Sequence, residues 1–250
     1  MNYRHTTLSA ALVCIASMAP ASAGEPRAVI ELFTSQGCSS CPPADKLLGE
    51  LAHDPSLIAL SLPVDYWDYL GWKDTLALHG HTNRERAYAE TRGDREVFTP
   101  QAVINGMTDV LGSDKSAIED AIARTRGNAK ALTLPVTLTV ADGKVTVTVP
   151  EAKDEQPSAE VWLCPITHKV TVPVERGENN GRSITYTNVV RRWVRLGEWN
   201  GKAQTFSIPV SELPSDTSTV KDIDSVAVLV QSGIAAKPGV ILGAAAAALR

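Results

Sequence analysis

The stretch that decides the fold is ELFTSQGCSSCPPADKLLGEL, residues 31–51. It joins an apolar run, AVIELF, to a segment whose leucines share one helical face. A short and nearly continuous apolar run is typical of a strand that is buried on both faces. The stretch therefore predicts a buried strand, a turn that carries Cys38 and Cys41, and a helix. Such a cysteine pair can be a redox switch, half of a metal site or a small structural staple.

The N-terminal residues have the pattern of a secretory signal peptide. One early charge precedes the apolar run LSAALVCIASMAP and the small residues ASA. We predict a signal peptide over residues 1–23, cleaved near Ala23, and a soluble protein that is periplasmic or secreted. The apolar run is too short to span a bilayer, so we expect no membrane insertion. The formal net charge of -4 offers no basic surface for nucleic acid.

Cleavage of this leader would leave three cysteines, Cys38, Cys41 and Cys164. In an oxidising compartment, one disulfide and one free thiol is the simplest arrangement for three cysteines. Cys164 follows three apolar residues, which favours a buried and inert thiol. The remaining pair then carries the chemistry.

The pattern of elements changes after residue 128 and predicts two domains. Residues 24–128 have the order strand, helix, strand, helix, hairpin, helix, with the hairpin turn at Asn105-Gly106. Residues 129–250 show short alternating strands, beginning with a hairpin around Asp142-Gly143. The second half therefore reads as an antiparallel sandwich or barrel-like domain.

The first half resembles the thioredoxin fold, because Cys38-Ser39-Ser40-Cys41 follows the first strand and Thr99-Pro100 precedes the hairpin. The chain also resembles, nearly end to end, a bacterial exported family catalogued as domain of unknown function 1223. The motifs that carry this likeness are ELFTSQGCSSCPPAD, VDYWDYLGWKD, FTPQAVING, RGENNGR and VVRRWVRLGEW. The family implies a thioredoxin-like α/β domain followed by an all-β domain, with no settled activity. In thioredoxin-like proteins the proline is cis and faces the cysteine pair.

The resemblance implies thiol–disulfide exchange on protein or small-molecule thiols, with Cys38 as an exposed nucleophile and Cys41 as the resolving thiol. The Ser39 and Ser40 hydroxyls could donate hydrogen bonds to a thiolate. Two prolines follow Cys41 and disfavour helical backbone in the residue before each of them. The helix then starts only near Pro43, or its first turn is distorted; the first case predicts a less acidic Cys38.

Further site residues follow from the same resemblance. Pro100 would shape the binding edge, and Thr99 would offer its backbone to a bound peptide. Tyr66 and Trp67 come after the second strand, where they form a client-binding rim or a small satellite core. Glu31, a carboxylate within an apolar strand, is either a proton relay to Cys41 or a solvated or salt-bridged residue at the strand edge.

Two alternatives to redox catalysis stay open. The pair is a structural disulfide in a non-catalytic envelope binding or scaffold protein, whose β-rich half contacts a partner. Alternatively the protein binds or delivers copper, with histidines as further ligands. The candidate histidines are His53, His79, His81 and His168. Redox exchange through cysteines needs no organic cofactor or metal. The segment RGENNGR, residues 176–182, is a polar turn, or its two arginines and Glu178 bind a partner or dock against the first half.

Overall fold

The computed structural model describes residues 25–126, 130–154, 157–213 and 222–249. The predicted signal peptide and the predicted domain boundary at residues 128–129 lie outside these ranges. The helices are α1 (Pro42–Leu51), α2 (His79–Arg92) and α3 (Lys115–Arg126). The strands are β1 (Ala28–Thr34), β2 (Leu57–Pro63), β3 (Gln101–Ile104), β4 (Thr108–Leu111), β5 (Thr137–Ala141), β6 (Lys144–Val149), β7 (Ala159–Pro173), β8 (Ser183–Val190), β9 (Val194–Trp199), β10 (Gln204–Pro209), β11 (Ser225–Ile234) and β12 (Lys237–Ala248).

The local signals of the first half form the elements that they predict. Helix α2 ends at Gly93, whose φ of 86° continues the chain in the left-handed region. Asn105 and Gly106, with φ of 53° and 70°, make the turn between β3 and β4. Helix α3 is capped by Asp114, whose Oδ1 accepts the N–H of Ala117 at 3.0 Å.

A single nine-stranded mixed sheet runs through both halves of the chain, in the order β12-β11-β7-β8-β2-β1-β3-β4, with β9 paired to β7. The prediction of a thioredoxin-like α/β domain followed by an antiparallel sandwich or barrel-like domain is therefore wrong. Strand β8 continues the sheet beyond β2 through Ser61 and Val189. Every residue of β2 is buried, and a buried strand cannot leave its edge N–H and C=O groups unpaired. Strands from the second half supply that pairing.

A second sheet, in the order β10-β6-β5, covers one part of the large sheet. Alternate residues of β6 (Val145, Val147 and Val149) are fully buried and belong to one apolar core with Val161 of β7 and Trp199 of β9. The period of two follows from the pleat of a strand that is buried on one face. This second core holds the β-rich half together and makes it continuous with the large sheet.

The helices cover opposite faces of β1. Ile30 and Leu32 point into a core with Leu48 of α1, and helix α3 lies in the same layer. Val29 and Phe33 point into another core that contains Tyr88 of α2. Because successive strand residues alternate between faces, the side chain of any β1 residue can reach only one of these layers. The cysteine loop follows β1 and leads into α1.

Candidate functional site

Cys38 and Cys41 form a disulfide in the turn between β1 and α1, with their Cα atoms 5.4 Å apart. The Cys41 N–H donates to the Cys38 carbonyl at 3.2 Å, which closes the turn. Helix α1 begins at Pro42, and Cys41 is its N-cap with helical dihedral angles. The prolines therefore do not delay the helix, because proline is well suited to the first helical positions.

The prolines do reduce the number of backbone N–H groups that the helix N-terminus can donate to a cysteine. Pro42 and Pro43 have no N–H, and the next two N–H groups, of Ala44 and Asp45, both donate to the Cys41 carbonyl. The first turn of α1 thus has no free N–H for a Cys38 thiolate, although a helix N-terminus normally presents several. A polar partner is the Ser40 hydroxyl, whose Oγ lies 3.4 Å from Cys38 Sγ.

The Thr99–Pro100 segment faces the cysteine pair across this turn. The Thr99–Pro100 bond is cis, and Pro100 is buried ahead of β3. The Thr99 carbonyl oxygen lies 3.7 Å from Cys38 Sγ and 3.5 Å from Ser40 Oγ. The structure thus brings Thr99 next to Cys38 and Ser40, from which it is separated by 61 and 59 positions in the chain. Ser39 and Ser40 are exposed at the surface of this cluster.

The aromatic loop after β2 packs beside the pair. Trp67 donates from Nε1 to Thr99 Oγ1 at 2.8 Å. A Cβ at Gly37 would lie 2.9 Å from the Trp67 Cβ, so this close contact requires glycine before the first cysteine. Tyr69 is 77% exposed and stacks on Trp67 with ring centroids 6.4 Å apart. Tyr66, in contrast, donates its hydroxyl to Glu85 Oε1 at 3.3 Å.

The segment 176–182, from the second half of the chain, docks on the cysteine loop. Asn179 is fully buried, and its Nδ2 donates to the carbonyls of Gln36 and Cys38 at 2.9 and 2.8 Å. Glu178 Oε2 accepts the Ser39 N–H at 3.2 Å. Docking of this segment was one of the alternatives predicted from the sequence, but Asn179 was not identified. The only sequence signal was the polar motif RGENNGR.

A buried carboxylate, Asp74, also fixes the loop. Its Oδ2 accepts the Gln36 N–H at 2.8 Å, and its Oδ1 accepts the N–H groups of Leu76 and Ala77 at 2.8 and 3.0 Å. Burial raises the pKa of Asp74 to about 6, against the opposing effect of these hydrogen bonds. Trp72 adds a bond from Nε1 to Gln36 Oε1 at 2.8 Å. The sequence analysis missed Asp74 and Gln36.

Glu31 lies away from the cysteine pair. Its carboxylate is fully buried and accepts from Arg84 Nε at 2.6 Å and from the Tyr88 hydroxyl at 2.5 Å. Arg84 also donates to Gln231 Oε1 at 2.8 Å and stacks over the Trp193 ring. This network occupies the α2 face of β1, whereas α1 and its cysteines belong to the other face. Glu31 is therefore a salt-bridged core residue on the face of β1 that packs against α2.

Cys38 is covered in this disulfide form, with 1% of its surface exposed. The sequence-based expectation of an exposed Cys38 is wrong, because the Asn179 segment and Trp67 pack around it. Cys164 is a buried free thiol, as expected. Burial raises the pKa of that thiol far above its ordinary value.

Two further features concern metal ligands and membrane-spanning helices. In the described ranges, no group of three or more His, Cys, Asp or Glu side chains could hold a metal ion. His81 is fully buried and pairs through Nδ1 with the Pro63 carbonyl at 2.9 Å. None of the helices in the described parts of the chain is long and apolar enough to cross a membrane.

Comparison with known proteins agrees with this architecture. A crystal structure of a protein from Agrobacterium tumefaciens is 31% identical to the chain, with a TM-score of 0.77, and the match covers 90% of this chain and 96% of that one. HBP35 of Porphyromonas gingivalis is 16% identical with a TM-score of 0.59, over 90% of this chain and 76% of that one, which shows a shared fold alone. No curated protein matches. The model of a family described as protein of unknown function (DUF1223) matches residues 29–231, and the chain belongs to that family.

Proposed function

We propose that this protein is a thiol–disulfide oxidoreductase that acts through Cys38 and Cys41. The observation that carries the proposal is the disulfide immediately before α1, with the Thr99 carbonyl 3.7 Å from Cys38 Sγ. A backbone carbonyl beside the reactive sulfur suits the docking of an extended client chain. This local arrangement is the part of the thioredoxin resemblance that the proposal uses.

The short loop of the disulfide supports a functional role. A disulfide stabilises a protein mainly by restricting the unfolded chain, and the effect shrinks as the closed loop shortens. Only Ser39 and Ser40 lie between the two cysteines. Such a bond adds little stability, so its chemistry is the stronger reason for its presence.

The reaction assigns one role to each cysteine. A client thiolate attacks Cys38 Sγ, the Cys38–Cys41 bond breaks, and a mixed disulfide forms as the Cys41 thiolate leaves. A second client thiolate then attacks the client sulfur of the mixed disulfide and displaces the Cys38 thiolate. Two electrons pass to the protein pair, and the client gains a disulfide. The reverse sequence reduces a client, with Cys41 as the resolving thiol.

The setting that we propose is extracytoplasmic. The signal-peptide pattern supports export to the periplasm or beyond, and exposed Tyr69 stacked on Trp67 offers an aromatic surface beside the pair. Protein or small-molecule thiols are the clients, and Pro100 and Thr99 form the edge against which they dock. A partner in the envelope would contact the β-rich half.

A second candidate is a binding or scaffold protein with a structural disulfide. The burial of Cys38 favours it, because exchange requires a client sulfur to reach Sγ in line with the disulfide. The two candidates differ in one property, namely whether the covering segment opens to admit a thiol.

Insulin reduction and equilibration with glutathione buffers separate these candidates. We expect turnover by the wild-type protein, its loss in Cys38→Ser, and its retention in Cys164→Ala, a matched change at the free cysteine. A wild-type pair that shows no turnover and does not equilibrate with glutathione would leave the scaffold function. Native mass spectrometry of the reduced protein with copper tests the metal alternative in parallel.

A further inference from the structure

Asp45 is a buried carboxyl group one helical turn after Cys41. Cys41 has helical dihedral angles, and its carbonyl accepts the Asp45 N–H at 3.1 Å, so the two residues have the i, i+4 relation of a regular helix. Side chains with this spacing share a face, with Cβ atoms about 5–6 Å apart. Asp45 is 2% exposed. It therefore lies on the side of α1 that carries the resolving cysteine.

The surroundings of this carboxyl group favour its neutral form. Burial raises the pKa of Asp45 well above its ordinary value; the nearby Thr34 hydroxyl offsets part of that rise, and Asp74 adds to it. Neither oxygen has a hydrogen bond of good geometry from any described residue. The groups that face it from packed elements, or line the space beside it, are Thr34, Asp74, Tyr186, Arg182, His53, His168, Lys169, Lys46 and Glu50. None of them is paired with Asp45 in a salt bridge.

A groove open to solvent runs beside this position. It has a volume of about 690 Å³, lies between α1 and strands β7 and β8, and is lined by both Pro42 and Asp45. Asp45 forms part of the wall of this groove, although both of its carboxyl oxygens are covered in the disulfide form. Glu31, a buried acid of β1, lies on the face of that strand that packs against α2 and not against α1.

We propose that Asp45 donates a proton to the Cys41 thiolate when the disulfide opens, and accepts it back when the disulfide closes. The inference rests on the proposed exchange activity and adds its proton transfer. In opening, the client thiolate bonds to Cys38 Sγ, and the S–S bond electrons leave on Cys41. The Asp45 carboxylic acid then becomes a carboxylate as Cys41 becomes a thiol. In closing, the carboxylate removes the Cys41 proton, and the resulting thiolate attacks Cys38 Sγ.

Reduction of the full-length protein by dithiothreitol tests this assignment. The rate is followed by quenching and alkylation and divided by the dithiothreitol thiolate concentration, over about pH 5 to 9. In the wild type, the corrected rate constant should fall as the pH rises through the pKa of Asp45. Asp45→Asn should be about tenfold slower at low pH and independent of pH. The expected tenfold effect on rate is smaller than the ~10²–10⁴-fold effect that is usual for general acid catalysis, because a thiolate is already a good leaving group.

Glu50→Gln is the matched control, because Glu50 is an exposed acid of α1 that lines the same groove. It should keep the wild-type profile. An Asp45→Asn protein within twofold of the wild type at every pH would overturn the assignment. If that variant does not fold by circular dichroism, a flat corrected profile of the wild type would overturn it instead. Insulin turnover tests the exchange activity separately, since dithiothreitol reports on Asp45 whether or not a protein client reacts.

Discussion

The contact of Asn179 with the cysteine loop gives a quantitative prediction for Asn179→Ala. The change removes two buried hydrogen bonds, to the Gln36 and Cys38 carbonyls. The Cys38 carbonyl keeps the bond from the Cys41 N–H, whereas the side-chain amide is the described donor to Gln36. At about 1 kcal/mol per bond, the segment over Cys38 should open more easily by about 2 kcal/mol. Since 1.4 kcal/mol is tenfold, reduction by dithiothreitol should accelerate about thirtyfold.

The assay is the rate of dithiothreitol reduction at fixed pH, together with the alkylation rate of the reduced protein. Asn180→Ala is the matched control, because the neighbouring asparagine is exposed and its substitution should leave the rate unchanged. If Asn179→Ala were reduced at the wild-type rate while remaining folded, segment 176–182 would not limit access to Cys38. The hypothesis that the burial of Cys38 under this segment slows exchange would then be refuted.

Three further predictions concern stability and reactivity. Arg84→Met should lower the free energy of unfolding by about 3–5 kcal/mol in urea titration, because it leaves the Glu31 charge buried and unpaired. Arg27→Met, whose partners Asp54 and Glu119 each have a side chain 40% exposed, should cost much less, and equal losses would contradict this. Burial raises the pKa of Glu85 from 4.5 to about 8, so the folded protein binds a proton that the unfolded chain has released. The Glu85 contribution to stability should therefore fall between about pH 4.5 and 8, and Glu85→Gln should flatten that fall; an unchanged pH dependence would count against it. Cys164 should resist iodoacetamide in the native protein and react after unfolding, and native labelling would disprove its burial.

Part of the site could be predicted from sequence because it depends on neighbours in the chain. The strand, the cysteine turn and the helix follow from residues 31–51, and the positions of Thr99 and Trp67 follow from short segments with strong local signals. Asn179 and Asp74 could not be found in this way. Their role depends on contacts over 141 and 38 residues of sequence separation, with Cys38 and Gln36, and no local pattern encodes such contacts.

Sequence by itself determined the elements: a buried β1 from its continuous apolar run, α1 from its leucines, and hairpins from Asn105-Gly106 and Asp142-Gly143. Only the tertiary structure decided how they assemble. The buried edge of β2 had to be paired, and β8 pairs with it, so both halves share one sheet instead of forming the predicted pair of folds. The strand pleat placed Glu31 on the face away from α1, and the helix repeat placed Asp45 on the side of Cys41. Which buried acid lies on the side of the cysteines therefore depends on which face of its strand or helix carries it. These faces become defined only when strands and helices pack.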